Sequence, residues 1–104
     1  MSNRRNYERH LIRKFALLKL TNGEIIEGQT RDLGIGGAFI ECEPDIEIEQ
    51  GTECNISLTL DEEDDEKLIT EIYGYIIHSD EDGLGCNFLK VNSTYYQFMR
   101  ELYD

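Results

Sequence analysis

At 104 residues, 39% of them apolar, the chain has the size of one small domain with a modest core. Ten basic side chains stand against 22 acidic ones, and the net charge of −12 excludes a general DNA or RNA binder, which must release many counterions from a phosphate backbone. Apolar runs of only a few residues predict no membrane insertion, and the N-terminus lacks the charged start and apolar segment of a signal peptide.

Residues 1–13 read as a flexible basic arm, because Arg4, Arg5, Arg9 and Arg13 repel one another and few apolar anchors accompany them. Charge is strongly segregated: residues 1–31 carry seven basic and three acidic side chains (net +4), residues 32–104 three and nineteen (net −16). Residues 14–104 read as one domain whose apolar pattern has period two, the signature of strands. Phe15 to Leu20 is a strand, and Asn22-Gly23 is a strong hairpin turn signal before a return strand from Ile25 to about Arg31. Asp32 to Gly37, with glycines at 34, 36 and 37, is predicted as a turn, and Ala38 to Cys42 as the next strand.

An acidic loop around Pro44 leads to a strand in which Cys54, Ile56, Leu58 and Leu60 alternate with polar residues, so that one face is buried. Asp61 to Glu66 is an unbroken run of carboxylates, expected to be a solvated hairpin tip; its spacing fits no EF-hand loop. Lys67 to Ser79 is predicted as a long strand with Ile69, Tyr73, Tyr75 and Ile77 in phase. Asp80 to Gly83 then turns the chain into Leu84 to Lys90. Ser93 is placed to cap a final helix in which Tyr95, Tyr96, Met99, Leu102 and Tyr103 follow helical spacing. A helix this short is stable only when docked. The fold class is therefore mainly β: a small antiparallel barrel of six to seven strands, closed at one end by a C-terminal helix.

Cys42, Cys54 and Cys86 are odd in number and fit no zinc spacing, so reduced thiols in a cytoplasmic protein are expected. No nucleophile elbow, Walker loop or metal-ligand spacing is present, and His10 and His78 have no sequence-evident partner. The expectation is a protein with no catalytic residues, no metal and no cofactor.

The arm and the glycine-rich segment together carry the chemistry. Arg5 and Arg9 form an RxxxR pattern, and Asp32, Gly34 and Gly37 fall on a (D/N)xSxxG pattern some twenty residues later. With Gly83-Leu84-Gly85-Cys86-Asn87-Phe88 as a last strand and a helix after it, the chain resembles the PilZ domain, a bacterial receptor for cyclic di-GMP. The resemblance implies a non-enzymatic receptor or adaptor that passes the level of this second messenger to an effector protein by ordering its arm. The alternative is a ligand-independent interaction module in motility or pilus assembly. Arginine suits such a ligand, forking onto phosphate oxygens or guanine O6 and N7. Asp32 is expected to accept from guanine N1 and N2 donors, while Gly36 and Gly37 let backbone N–H groups approach a phosphate. Arg4, directly before the pattern, goes in this family with a stacked pair of ligands. Gly34 stands where the family has serine, so one hydroxyl contact is missing.

Overall fold

Seven strands and one helix make up the described residues, 9–43, 48–63 and 66–103, of the computed structural model. They are β1 (Arg9–His10), β2 (Phe15–Leu20), β3 (Ile25–Gly34), β4 (Gly37–Glu41), β5 (Glu53–Glu63), β6 (Glu66–Asp80), β7 (Gly83–Lys90) and α1 (Ser93–Tyr103). The strands run β1-β3-β2-β5-β6-β7-β4, and a further β3–β4 pairing closes β2 to β7 into a six-stranded antiparallel barrel with β1 outside on β3. No helix among the described residues is long and apolar enough to cross a membrane.

The alternation seen in the sequence fills the barrel. Ala16, Leu18 and Leu20 from β2 meet Cys54, Ile56, Leu58 and Leu60 from β5, all at most 5% exposed. Each fully buried aliphatic side chain stabilises the fold by roughly 1.5–3 kcal/mol. The hairpins sit where turn residues demand them: Gly23 and Gly83 adopt positive φ of 97° and 155° at the β2–β3 and β6–β7 turns. The β6–β7 turn is held further by Asp80, whose Oδ1 accepts from the N–H groups of Asp82 and Gly83 at 2.8 and 3.1 Å.

Several expectations need correction. β3 does not stop at Arg31 but runs through Gly34, so the turn shrinks to Ile35 and Gly36. In β6 the buried positions are Thr70, Ile72, Gly74 and Ile76, while Ile69 and Tyr73 are 51% and 38% exposed. Pairing decides this: Cys54, Ile56 and Leu58 of β5 stand opposite Gly74, Ile72 and Thr70, which puts the even set on the core face. The predicted phase followed the bulkier odd residues, which line the outside.

Asn92, not Ser93, caps the helix: its Oδ1 accepts the Tyr95 N–H at 2.9 Å and the buried Thr70 hydroxyl at 2.8 Å. Tyr95 and Met99 are fully buried, with Phe98 packed beside them, whereas Tyr96 and Leu102 face outward. The carboxylate tip at 64–65 and residues 44–47 lie outside the described residues. The arm expected to be flexible is attached over its last part, because Arg9 and His10 pair with Gly34 and Leu33. Ile12 and Lys14 are also tied to the fully buried Thr30. Its hydroxyl donates to the Ile12 carbonyl at 2.5 Å and accepts the Lys14 N–H at 2.8 Å.

Candidate functional site

A β-bulge builds the site. Thr30 pairs with Ile40 and Asp32 with Phe39, so Arg31 is an extra residue on β3. Thr30 points into the core. The extra residue shifts the alternation, so that Leu33 takes the next core position and Asp32 turns to the outer side. Without the bulge the strand period would aim a carboxylate into the barrel, where an unpaired charge is costly.

Asp32 is then the hub. Its Oδ1 accepts from Arg9 Nη1 at 3.0 Å and from the Phe39 N–H at 3.2 Å, and its Oδ2 meets Arg31 Nε at 3.4 Å. The side chain is 14% exposed and that of Arg9 33%, so this ion pair is only partly screened by solvent. Arg31 also lays its guanidinium 3.9 Å from the centroid of the Phe39 ring, which holds it beside the carboxylate.

Gly37 forms the floor. A Cβ there would lie 2.5 Å from the Cys86 carbonyl oxygen, 3.0 Å from Arg9 Nη2 and 3.3 Å from Asn87 Oδ1. The missing side chain is what lets Arg9 and Asn87 approach this closely. Gly36 uses its carbonyl to accept the Phe88 N–H at 2.9 Å, and Gly34 uses its carbonyl to accept the Tyr95 hydroxyl. The backbone of the glycine segment is thus tied to β7 and α1, leaving its outer surface to other partners.

The structure therefore brings Arg9, Asp32, Gly34, Gly36 and Gly37 into one neighbourhood from β1, β3, β4 and the turn between the last two. Arg4 and Arg5 lie outside the described residues. Sequence reasoning missed Arg31, Phe39 and Asn87. The bulge that re-aims Arg31 has no local sequence mark. Asn87 reaches the site only through the β4–β7 pairing opposite Gly37 and extends it to the Tyr75 hydroxyl, 3.2 Å from its Nδ2.

No group of three or more His, Cys, Asp or Glu side chains among the described residues is placed to hold a metal ion. The three cysteines are free, and the hydrogen bond that the Cys86 thiol donates to Cys54, together with burial, pushes the Cys86 thiol up. His78 bonds Asp80 at 2.8 Å, a pair two residues apart on one strand end that sequence reading passed over.

Comparison with known proteins agrees with the barrel fold. Among curated proteins none matches the chain. The structure of the Bacillus subtilis inhibitor of motility (MotI/DgrA) superposes with a TM-score of 0.76 at 16% identity, covering 98% of this chain and 53% of that one. The chain thus spans about half the length of that protein. The PilZ domain of CeSA from a cellulose-synthesizing bacterium superposes with a TM-score of 0.69 at 22% identity, covering 91% of this chain and 93% of that one. Both likenesses concern the fold. The PilZ domain family model matches residues 3–103, nearly the whole length, and the chain belongs to the PilZ domain family.

Proposed function

We propose that this protein is a non-enzymatic receptor for cyclic di-GMP, acting as an adaptor toward an effector protein. The family is a cyclic di-GMP effector fold. The observation that carries the reading is the meeting of Arg9 and Asp32, 23 positions apart, over a glycine floor that a Cβ would obstruct. Arg5 and Arg9 grip phosphate and guanine, Asp32 accepts from a guanine edge, and Gly36 and Gly37 admit a phosphate. Arg4 adds a third guanidinium for a second, stacked ligand. Ligand binding orders the basic N-terminal arm and so changes the surface offered to the effector.

A second reading, a ligand-independent module in motility or pilus assembly, is favoured by one observation. Gly34 supplies no hydroxyl, a deficit of about 0.5–1.5 kcal/mol for one neutral hydrogen bond. Titration calorimetry with cyclic di-GMP, with cyclic di-AMP as control, separates the two. Saturable heat specific to the guanine nucleotide supports the receptor. No heat from folded protein supports the second reading.

A further inference from the structure

We propose that the outer face of β2, β5 and β6 is a docking trough for a cationic amphipathic helix of a partner protein. It concerns the effector half of the reading above, and it stands on the barrel itself, whether or not the nucleotide binds.

The relief of this face comes from side-chain size. The outward residues of β5 at its centre are Asn55, Ser57 and Thr59, all small and polar. On one flank β2 presents Phe15, 46% exposed, and Leu17; on the other β6 presents Ile69 and Tyr73, 51% and 38% exposed. Register makes these rows continuous: Leu17 stands opposite Ser57, and Thr59 and Asn55 stand opposite Ile69 and Tyr73. The Tyr73 hydroxyl donates to Glu53 on β5, which holds the ring in place at this end. Two strand spacings separate the flanks, about 10 Å, the width of a helix with its side chains. Single exposed apolar residues are ordinary, but four flanking one polar floor form a patch.

Charge and hydrogen bonding select the occupant. Glu27 lies opposite Leu17, Glu71 opposite Ser57, and Glu53 at the Tyr73 end, with Asp61 and Glu62 beyond Thr59. Lys19 and Lys67 are the cations of these rows, and Lys67 lies 3.6 Å from Glu62. Glu27, Glu53, Glu71 and Asp61 remain against Lys19, so the rim is acidic and calls for basic flanks on the partner. A second copy of this chain is disfavoured, because a two-fold contact would set the same glutamates against each other. An added strand is excluded too, since β2, β5 and β6 each have a paired neighbour on both sides and offer no ladder edge. What remains is side-chain recognition of a helix with one apolar and one cationic face.

The position adds a consequence. In the closed ring β5 lies two strands from β3, which carries Asp32, and the Tyr73 end of the trough borders the Asn87–Tyr75 edge of the nucleotide site. Helix and nucleotide therefore occupy neighbouring faces of the barrel.

The test uses the full chain without nucleotide and, as probe, a leucine/lysine peptide that folds as an amphipathic helix. Amide resonances of Phe15, Leu17, Ser57, Ile69 and Tyr73 are expected to shift, with that of Gly37 unmoved. An isocharged peptide with serine for leucine should bind at least about tenfold more weakly. The double variant Phe15→Ser, Ile69→Ser should lose about tenfold for the first peptide while its circular dichroism and melting stay those of the parent; Glu71→Lys provides a charge-based check should it unfold. Equal binding of both peptides, shifts spread over the acidic surface, unchanged affinity in a folded variant, or shifts that follow protein self-association would each overturn the proposal. Loss of cyclic di-GMP binding alone would not touch it.

Discussion

Tyr95 on α1 donates its hydroxyl hydrogen bond to the carbonyl of Gly34, the residue that also pairs with Arg9 on β1. The terminal helix and the basic arm thus meet on one backbone unit, two residues beyond the Asp32 hub. Tyr95 is fully buried and packs edge-on against Phe88, with ring centroids 5.7 Å apart and planes at 83°. Tyr95→Phe keeps this packing and removes the donor, leaving a buried carbonyl without it. The expected loss is about 1–3 kcal/mol of unfolding free energy, measured by urea denaturation. An unchanged midpoint would mean that the hydroxyl bond contributes nothing net.

Arg9→Ala should weaken cyclic di-GMP binding by about 1–3 kcal/mol, the range for one lost bidentate guanine contact. Stability should fall by less than about 1 kcal/mol, because the ion pair it leaves is near the surface. Asp32→Ala should weaken binding and reduce discrimination against cyclic di-AMP. Calorimetry with both nucleotides checks this, and equal losses for the two would make Asp32 a structural residue alone.

The two glycine positions should behave oppositely. Gly37→Ala places a methyl group 2.5 Å from a backbone carbonyl of β7, so a cost of about 1–3 kcal/mol in stability is expected from thermal unfolding. Gly34 lies in strand conformation, since the described positive-φ glycines are Gly23, Gly51 and Gly83. Gly34→Ser should therefore fold and strengthen ligand binding by up to about 1 kcal/mol. A less stable protein with weaker binding would show that this buried position has no room for the hydroxymethyl group.

Asp80 should make the β6–β7 turn acid-sensitive. Its hydrogen bond with His78, then those from the Asp82 and Gly83 N–H groups, hold its carboxyl below the usual aspartate value. A carboxylate with a depressed folded pKa contributes stability that is complete above the unfolded value, about 3.9, and is lost as pH falls through the lower folded value. Melting temperatures of parent and Asp80→Ala should differ by a constant amount from pH 7 to 5 and converge below about pH 4. Parallel curves down to low pH would contradict this role.

Cyclic di-GMP should bind the parent at two molecules per chain, since Arg4, Arg5 and Arg9 together offset most of the charge of four phosphates. Arg4→Leu should lower the calorimetric stoichiometry to one while leaving measurable affinity. A value of one for both proteins would remove the stacked pair.

The strands and the barrel class were legible because turn residues and period-two runs are local signals. The phase of β6 was not: Thr70 and Gly74 look like poor core residues until Asn92 satisfies the threonine and the Asn87 backbone fills the space over the glycine. The helix cap was misread by one position for the same reason, since Asn92 was needed by both Thr70 and Tyr95. At the site, Asp32 and the glycines could be named from their pattern. Arg31, Phe39 and Asn87 could not, because a bulge and a non-local strand pairing place them.

Thr30 has a mechanical consequence for the arm. Its hydroxyl and N–H make three hydrogen bonds to the backbone of residues 12 and 14, from a side chain with no exposure. Tension applied ahead of Arg9 first peels the two-residue β1 and then reaches this cleat, where three bonds share the load. The barrel beyond it feels little of the pull. Movement of the arm is thereby converted into opening or closing of the β1–β3 seam over Gly34, and the length of the lever ends at Leu11.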